Sequence, residues 1–441
     1  MCMKKTLSVA TLALAITACG SDDSNSSLQA VHSSVDAPLA NVWINGDATL
    51  TGVDFGVASG YLSVPTGNNT VEVEVQLPGG ATTTVIPETT LFLAEALKYT
   101  VMVVGEADSS SSNSVEALVL SRPANGSANA STFDVQVVHA AAGVPDVDLY
   151  VTEPGADINS ASAVDTLAYK DDTGVLNLAA ATYQIRLALA GTKTVAFDSG
   201  SVTLNANSEL TIAAIPNQDS DGSSLVKLLV MDGSSYSTLY NSSEKAEIQV
   251  GHLVDDAPRV DVSLNGSEAI SDLDFKEVED YTAVDAGTYD IGVYPDNTPG
   301  SLVIDAQDVE LNAGMDYGIF AIDELATIEA LVVETDRRSV ATSAKLSLIH
   351  AAPSASTVDV YLTASTDFAS SSPAIEGFEY KADVQGIYVA AGDYYVTVTP
   401  TGTTTAAIGP AMVTLDDGVV YQAIAIDDGT GFDLIVDAIT D

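Results

Sequence analysis

Apolar and polar residues alternate in short runs along most of the chain, as in Ile248, Val250 and His252 against Gln249 and Gly251. Strict alternation over four to eight residues is typical of a half-buried β-strand, and helical periodicity is missing. Between Leu28 and Arg122 the pattern predicts seven strands, at Leu28–His32, Asn41–Asn45, Tyr61–Val64, Thr70–Leu77, Thr83–Ile86, Tyr99–Val104 and Val115–Leu120. Seven short strands separated by turn residues predict an immunoglobulin-like β-sandwich.

One segment of this pattern occurs four times, at Val31–Ile44, Val138–Val151, Gly251–Leu264 and Ile349–Leu362. Each copy contains one histidine, so His32, His139, His252 and His350 are the four histidines of the chain. Repeats spaced by about a hundred residues indicate tandem domains. We therefore expect an all-β chain of four sandwiches, at residues 28–122, 132–241, 244–337 and 343–441. The connectors near Ser242 and Ser339 are short, which predicts a stiff rod.

The repeats alternate in type along the chain. The first and third close their second strand with Asn45-Gly46 or Asn265-Gly266, a tight hairpin signal. The second and fourth instead carry insertions, Thr152–Ala163 and Thr363–Ala374, each followed by a Tyr-Lys pair. Loops on a rigid sandwich are where binding residues commonly lie. These insertions, with Tyr169, Lys170, Tyr380 and Lys381, are the candidate ligand surface, for a sugar or an acidic group. The alternative is that the insertions are ordinary surface loops and that each tyrosine packs on the edge of its sandwich.

The N-terminus is predicted to be a targeting segment at residues 1–18. Lys4 and Lys5 precede a short apolar run that is too brief to span a bilayer. The sequence Ile16-Thr17-Ala18-Cys19 resembles the lipobox of bacterial lipoproteins. That resemblance implies cleavage before Cys19, its lipidation with diacylglycerol and palmitate-type acyl chains, and export to the outer membrane. Residues 19–27 are small and polar and are predicted to form a flexible tether.

Composition narrows the range of partners. The net charge is −46, so nucleic acid and anionic membrane surfaces would be repelled. The only cysteines are Cys2 and Cys19, one lost with the signal peptide and one lipidated, so no disulfide is expected. Each sandwich must then be stabilised by its own core. The sequence does not indicate an oligomeric state.

Two candidate sites remain. The histidines lie on the apolar face of their strands and have no companion ligands, so we predict that they are structural, hydrogen-bonded core residues. Asn217, Asp219 and Asp221 imitate the start of a calcium loop, but Leu228 stands where an EF-hand has its bidentate glutamate. A plain hairpin turn is the main interpretation of this loop, and weak Ca²⁺ binding is the alternative.

The repeated phrase Val-His-Ala-Ala, followed by Pro and Val-Asp-Leu-Tyr as at Val138–Tyr150, resembles the bacterial domain of unknown function family 4397. A later Ala-Gly-Thr/Asp-Tyr, at Ala286–Tyr289 and Ala391–Tyr394, belongs to the same resemblance. The family implies extracytoplasmic β-sandwich modules, often in tandem on lipoproteins or surface proteins. It implies no catalytic residues.

No nucleophile elbow, phosphate loop or zinc-protease motif occurs in the sequence. We therefore expect a non-catalytic lipoprotein, lipid-anchored in the outer membrane, that serves adhesion, ligand binding or spacing, with a glycan or surface protein as its partner. Two alternatives stay open. One is a carbohydrate-active or other hydrolytic surface enzyme, and the other is a periplasmic structural protein.

Overall fold

The computed structural model describes residues 25–218, 224–296, 298, 300–355 and 357–440, and most of them lie in β-strands. The first sandwich contains β1 (Asn25–His32), β2 (Ala40–Ile44), β3 (Asp47–Val53), β4 (Leu62–Pro65), β5 (Gly67–Gln76), β6 (Thr82–Leu93), β7 (Leu97–Val104) and β8 (Glu116–Pro123). The second contains β9 (Thr132–His139), β10 (Val147–Thr152), β11 (Asp165–Leu167), β12 (Leu176–Ala179), β13 (Ala181–Leu189), β14 (Val195–Leu204), β15 (Glu209–Pro216), β16 (Val226–Met231) and β17 (Tyr236–Leu239).

The third sandwich contains β18 (Lys245–His252), β19 (Val260–Leu264), β20 (Ser267–Leu273), β21 (Thr282–Asp285), β22 (Gly287–Pro295), β23 (Ile304–Leu311), β24 (Asp316–Ile322) and β25 (Glu329–Thr335). The fourth contains β26 (Ala344–His350), β27 (Thr357–Thr363), β28 (Ile375–Glu379), β29 (Asp383–Val389), β30 (Gly392–Pro400), β31 (Ile408–Leu415), β32 (Val420–Asp427) and β33 (Phe432–Ala438). Short 3₁₀ turns lie at Pro78–Gly80 and Ile158–Ser160. None of the described residues forms a helix long and apolar enough to cross a membrane.

The four sandwiches share one strand order. In the first, one sheet has the order β4-β1-β7-β8 and the other β3-β2-β5-β6. The first strand is antiparallel to the fourth and parallel to the seventh. The other sandwiches repeat this order, and the second adds β17 at one edge. The predicted tandem β-sandwiches are therefore confirmed, with at least eight strands in each rather than the seven predicted for the first.

The missed strand in the first sandwich is β3, which follows the predicted hairpin. Asn45 and Gly46 both have positive φ, 54° and 80°, as the two central residues of a type I′ turn require. A second difference concerns β1, which begins at Asn25 and pairs there with Pro65. Residues 25–27, predicted to be part of the tether, thus belong to the sheet.

In each sandwich, the sheet that contains the first strand packs on both of its faces. One face lines the sandwich core, as Leu28, Ala30 and Val101 do in the first sandwich. The other face packs against a neighbouring sandwich. Between the first and second sandwiches this interface includes Val31, Met102, Val138, Ala213 and Ile215. Between the third and fourth it includes Leu253, Phe320, Ile349, Ile424 and Ile426.

The direction of the strands explains this side-by-side packing. We call the end of a sandwich where its first strand begins the lower end, and the opposite end, which carries the histidine, the upper end. β8 finishes beside the start of β7, so the chain leaves the first sandwich at its lower end. The second sandwich begins there, and Lys98 Nζ lies 2.9 Å from Glu209 Oε2 across the two lower ends.

The extra strand β17 changes the end at which the chain leaves the second sandwich. It pairs antiparallel with β16 and returns the chain to the upper end of the second sandwich. The third sandwich stands there, with Tyr240 above Gly314, where a Cβ would come within 2.2 Å of the ring. The chain leaves the third sandwich at its lower end, since β25 pairs antiparallel with β24, and the fourth lies beside the third.

The expectation of four sandwiches in a rod is therefore wrong in its arrangement. The structure is a stack of two side-by-side pairs. Connector length alone does not determine the arrangement, because the apolar outer faces of the sheets bring neighbouring sandwiches together.

Candidate functional site

Each histidine stabilises the loop that follows the first strand of its sandwich. In the first sandwich, His32 Nε2 lies 3.1 Å from the carbonyl oxygen of Pro38, and Nδ1 accepts the N–H of Ser34 at 3.3 Å. The same contacts recur at His139 with Pro145 and Ala141, and at His252 with Pro258 and Val254. His350 accepts the N–H of Ala352, and its sixth following residue, Ser356, lies outside the described residues.

The histidine rings are neutral in this setting. Burial lowers the pKa of all four, and that of His32 to about 4. In the first three sandwiches Nδ1 is an acceptor and Nε2 faces a carbonyl, which indicates the Nε2-protonated tautomer. Among the residues that the structure describes, no group of three or more His, Cys, Asp or Glu side chains could hold a metal ion. The structural role of the histidines stays a prediction that this geometry favours.

The Tyr-Lys pairs form a turn against the histidine strand. The N–H of Lys170 donates to the carbonyl of His139 at 2.7 Å, and Lys170 has a φ of 77°. The ring of Tyr169 stands edge-on to the imidazole, with 6.3 Å between the centroids. The third and fourth sandwiches repeat this turn with Phe275-Lys276 and Tyr380-Lys381.

These turns lie at the interfaces between paired sandwiches. Tyr169 packs in the interface of the first pair, and Lys170 Nζ lies 2.6 Å from Glu116 Oε1 of the first sandwich. Tyr380 packs in the interface of the second pair. Lys381 pairs with Glu329 and lies 3.7 Å from Asp323, both in the third sandwich. The two tyrosines thus contact the neighbouring sandwich, while Lys170 and Lys381 each keep 39% of their side chain exposed, and a ligand role for these four residues stays a prediction.

The two insertions lie on the other sheet of their sandwiches. In the second sandwich, Arg186 Nη2 donates to the carbonyl of Ala156 and to Thr152 Oγ1, both at 2.9 Å, and Ile158 packs against Tyr150. In the fourth, Phe368 packs on Tyr361 with 5.1 Å between the ring centroids. The insertions and the Tyr-Lys pairs therefore do not form one surface, because they lie on opposite faces of the sandwich.

The predicted calcium loop is only partly described. Asp219 and Asp221 lie outside the described residues. The amide nitrogen of Asn217 lies 3.3 Å from the carbonyl oxygen of Ser224 and 3.3 Å from Glu244 Oε1. This amide spans the hairpin and reaches the connector to the third sandwich. Calcium binding stays a prediction.

The pairs of sandwiches meet at Arg337 and Arg338, which the sequence reasoning missed. Arg338 Nη1 donates to the carbonyl oxygens of Val35 at 2.9 Å and Ala37 at 3.1 Å, and Nη2 pairs with Asp54. A connector between the third and fourth sandwiches thus holds the upper end of the first. A signal was present: apart from Lys4-Lys5, this is the one adjacent pair of basic residues in a chain with 15 of them.

Arg337 holds the second pair together at its lower end. Its Nε donates to the carbonyl of Ile439 in the fourth sandwich at 2.8 Å, and Nη1 pairs with Glu247 in the third. The guanidinium stacks 4.0 Å above the ring centroid of Tyr281, and burial raises the pKa of that phenol to about 12. Only 8% of the Arg337 side chain is exposed, so its charge is compensated within the protein.

Residues from all four sandwiches line a cavity of about 360 Å³ at this junction. Its lining includes Asp54, Phe55, Lys227, Tyr240, Glu334 and Gln385. Burial raises the pKa of Glu334, and the neighbouring Asp336 and Asp383 add to the effect. Lys345 Nζ lies 2.5 Å from Asp336 Oδ2, and Asp54 is engaged by Arg338. The cavity therefore combines aromatic rings and carboxylates, but two of those carboxylates hold the sandwiches together.

Fold and site together define a multi-domain β-sandwich protein in which Arg337 and Arg338 form an interdomain junction. The family model of the domain of unknown function family (DUF4397) matches residues 26–150, 133–238 and 246–361, so this chain belongs to that family. A search of curated proteins finds no match. Among solved structures, the Bacillus anthracis TIE protein is similar over 87% of this chain and 65% of that chain, with 12% identity and a TM-score of 0.16. This chain thus spans less than two thirds of that structure, and so weak a likeness supports no conclusion about function.

Proposed function

We propose that this chain is a non-catalytic lipoprotein, anchored to the outer membrane through Cys19, that acts as a spacer for adhesion or ligand presentation. The observation that supports this most is the stacking of two sandwich pairs, held end to end by Arg338 and its contacts with Val35, Ala37 and Asp54. In this proposal the first pair stands near the membrane. The upper ends of the third and fourth sandwiches point away from it and meet the partner, a glycan or a surface protein.

A hydrolytic or carbohydrate-active enzyme is the second candidate, and the junction cavity is the observation in its favour. A carboxyl group with a raised pKa, such as Glu334, is suited to act as a general acid. The engagement of Asp54 and Asp336 by Arg338 and Lys345 favours the structural role instead. The third candidate, a periplasmic structural protein, has the same geometry and differs only in location.

The anchor is tested by Cys19→Ala in the cell. We expect loss of palmitate labelling and release of the chain from the membrane fraction, because no described segment supplies a membrane-spanning helix. Membrane retention of this variant in high salt, without label, would argue against the anchor.

The spacer role is tested with an epitope inserted at Thr430 in the loop between β32 and β33, and a matched one at Asn125 between β8 and β9. On intact cells we expect antibody and protease to reach the Thr430 epitope. If both epitopes are reached only after the outer membrane is opened, the periplasmic alternative is correct. A glycan and matrix array with the purified chain then seeks the partner, and turnover of a glycoside panel that is lost in Glu334→Gln would support the enzyme.

A further inference from the structure

We infer that the lower end of the first sandwich rests on the membrane surface, with the ring of Phe92 inserted among the lipid head groups. This inference rests on the lipid anchor proposed above and adds a contact between the folded protein and the bilayer. The partner is a phospholipid surface, which accepts aromatic rings at its interface.

Phe92 is an exposed aromatic residue close to the start of the first strand. It lies near the end of β6, is 63% exposed, and pairs with Asn68 at the start of β5. Asn68 follows Pro65 by three residues, and Pro65 pairs with Asn25, the first described residue. The ring and the N-terminal strand thus share the lower end of the sandwich.

The equivalent position is polar in the other three sandwiches. Asn68 and Phe92 correspond in strand pairing to Thr182 with Thr203, Thr288 with Glu310, and Asp393 with Thr414. Polar and charged residues are what an exposed edge strand normally carries, because they prevent pairing with other chains. The aromatic replacement occurs in the sandwich that follows the anchor, where a membrane contact is geometrically available.

The spacing between anchor and fold keeps this end near the bilayer. Asn25 comes six residues after Cys19, and six extended residues reach at most about 20 Å. A sandwich held within that distance by its lower end has its lower-end loops at or near the head groups. Phe92 therefore lies within reach of the interface without any rearrangement of the fold.

The distribution of charge favours the same orientation. The loop between β6 and β7 carries Glu95, Lys98 follows near the start of β7, and the linker that follows β8 up to Thr132 contains no charged residue. At the upper ends of the third and fourth sandwiches, adjacent acidic pairs recur in three loops, at Asp255-Asp256, Asp323-Glu324 and Asp427-Asp428. An anionic membrane repels these acidic pairs, whereas the lower end of the first sandwich carries fewer charges, Asp47, Glu95 and Lys98 among them.

The test uses the full mature chain, residues 19–441, with Cys19 coupled chemically to a maleimide phospholipid in phosphatidylcholine vesicles. Trp43 is the only tryptophan, so Trp43→Phe gives a silent background. Phe92→Trp then places an indole at the proposed contact, and Thr414→Trp is the matched control in the fourth sandwich. We expect a blue shift and quenching by brominated lipid at position 92 only. Equal quenching at the two positions, or none at either, would overturn the inference.

A second measurement removes the ring. With Cys19 coupled to a single acyl chain, which binds membranes marginally, Phe92→Thr should weaken vesicle partitioning about tenfold. The matched control is Met412→Thr, which removes an apolar side chain that is 64% exposed in the fourth sandwich and should change nothing. Unchanged partitioning of the Phe92 variant would also overturn the inference. Because coupling replaces cellular lipidation, these results are independent of the Cys19→Ala experiment that tests the anchor.

Discussion

Arg338 and Val35 are 303 residues apart in the chain, and the guanidinium of one donates to the carbonyl oxygen of the other at 2.9 Å. The contact joins the connector of the second pair to the loop that follows His32. A second hydrogen bond crosses the same boundary, from the N–H of Ala341 to the carbonyl of Asp36 at 2.9 Å. The first and last parts of the chain thus stabilise each other directly. Strand pairing stays within each sandwich and could not join these two parts.

The first prediction concerns this junction. Arg338→Gln removes the partner of Asp54 and shortens the reach to Val35 and Ala37, at a cost on the order of 3 kcal/mol. We expect the second pair to swing away from the first sandwich, so the radius of gyration measured by small-angle X-ray scattering increases. Arg259→Gln is the control, because Arg259 pairs with Asp274 at the surface of its own sandwich. An unchanged radius in Arg338→Gln would show that the contact between Tyr240 and Gly314 suffices.

The second prediction concerns the core of the fourth sandwich, which contains an apolar cavity of about 60 Å³ lined by Ala423. Strand pairing places Val101, Ile212 and Ile319 at the equivalent position of the other sandwiches. Ala423→Ile should therefore stabilise this sandwich by about 1 kcal/mol, since cavities cost roughly 24 cal/mol per Å³.

Hydrogen exchange of the peptide that contains β32 measures this effect. The control is Ala214→Ile in the filled core of the second sandwich, where added volume should destabilise the fold. Faster exchange in β32 of the Ala423 variant would mean that the cavity cannot accept a larger side chain.

The third prediction follows from the lowered pKa of His32. The folded pKa is about 4 and the ordinary value is 6.5, so between these pH values the unfolded chain binds the proton and the folded one does not. The neutral ring thus contributes stability above pH 6.5, and about 3 kcal/mol of it is lost as the pH falls to 4. His32→Gln keeps a donor towards Pro38 but cannot titrate, so its urea midpoint should lack this pH dependence.

Trp43 makes this prediction measurable, since the single tryptophan lies in the first sandwich and its fluorescence reports that unit. Acid also neutralises part of the −46 charge and relieves repulsion, which raises stability. The difference between wild type and variant removes this common effect. Parallel curves between pH 4 and 6.5 would show that His32 does not control the response.

The strands and the histidine segment could be predicted because alternation and turn residues act locally. The side-by-side packing also has a signal in the sequence. Runs such as Val101–Val104 and Ile212–Ile215 are apolar at every position. Such runs are typical of strands buried on both faces. Within one sandwich only one of these faces has a packing partner, so the second buried face requires a neighbouring sandwich that the local pattern does not identify.

The junction could not be predicted in the same way. Its geometry depends on where Arg337 and Arg338 point after four sandwiches have been placed, and no local pattern specifies that. The interface position of the Tyr-Lys pairs has the same cause. Tyr169 contacts the first sandwich, which is distant from it in the sequence. The local sequence around Tyr169 therefore does not reveal this contact.

The fourth prediction concerns calcium. If Asn217, Asp219 and Asp221 bind Ca²⁺, calorimetry should show a calcium-dependent rise in the melting temperature of the second sandwich, lost in Asp219→Ala. Magnesium chloride and sodium chloride at matched ionic strength are the controls. An equal rise with these salts would identify screening of the acidic surface as the cause.

The short strand β17 has a consequence for how such arrays grow. Successive strands run in opposite directions, so a module with an even number of strands delivers the chain to the end where it entered, and an odd number delivers it to the far end. Whether the number of strands is even or odd therefore decides whether the next module packs beside the previous one or on top of it. The four residues Tyr236–Leu239 therefore make the array longer where it would otherwise become wider, so one edge strand is enough to change its outline.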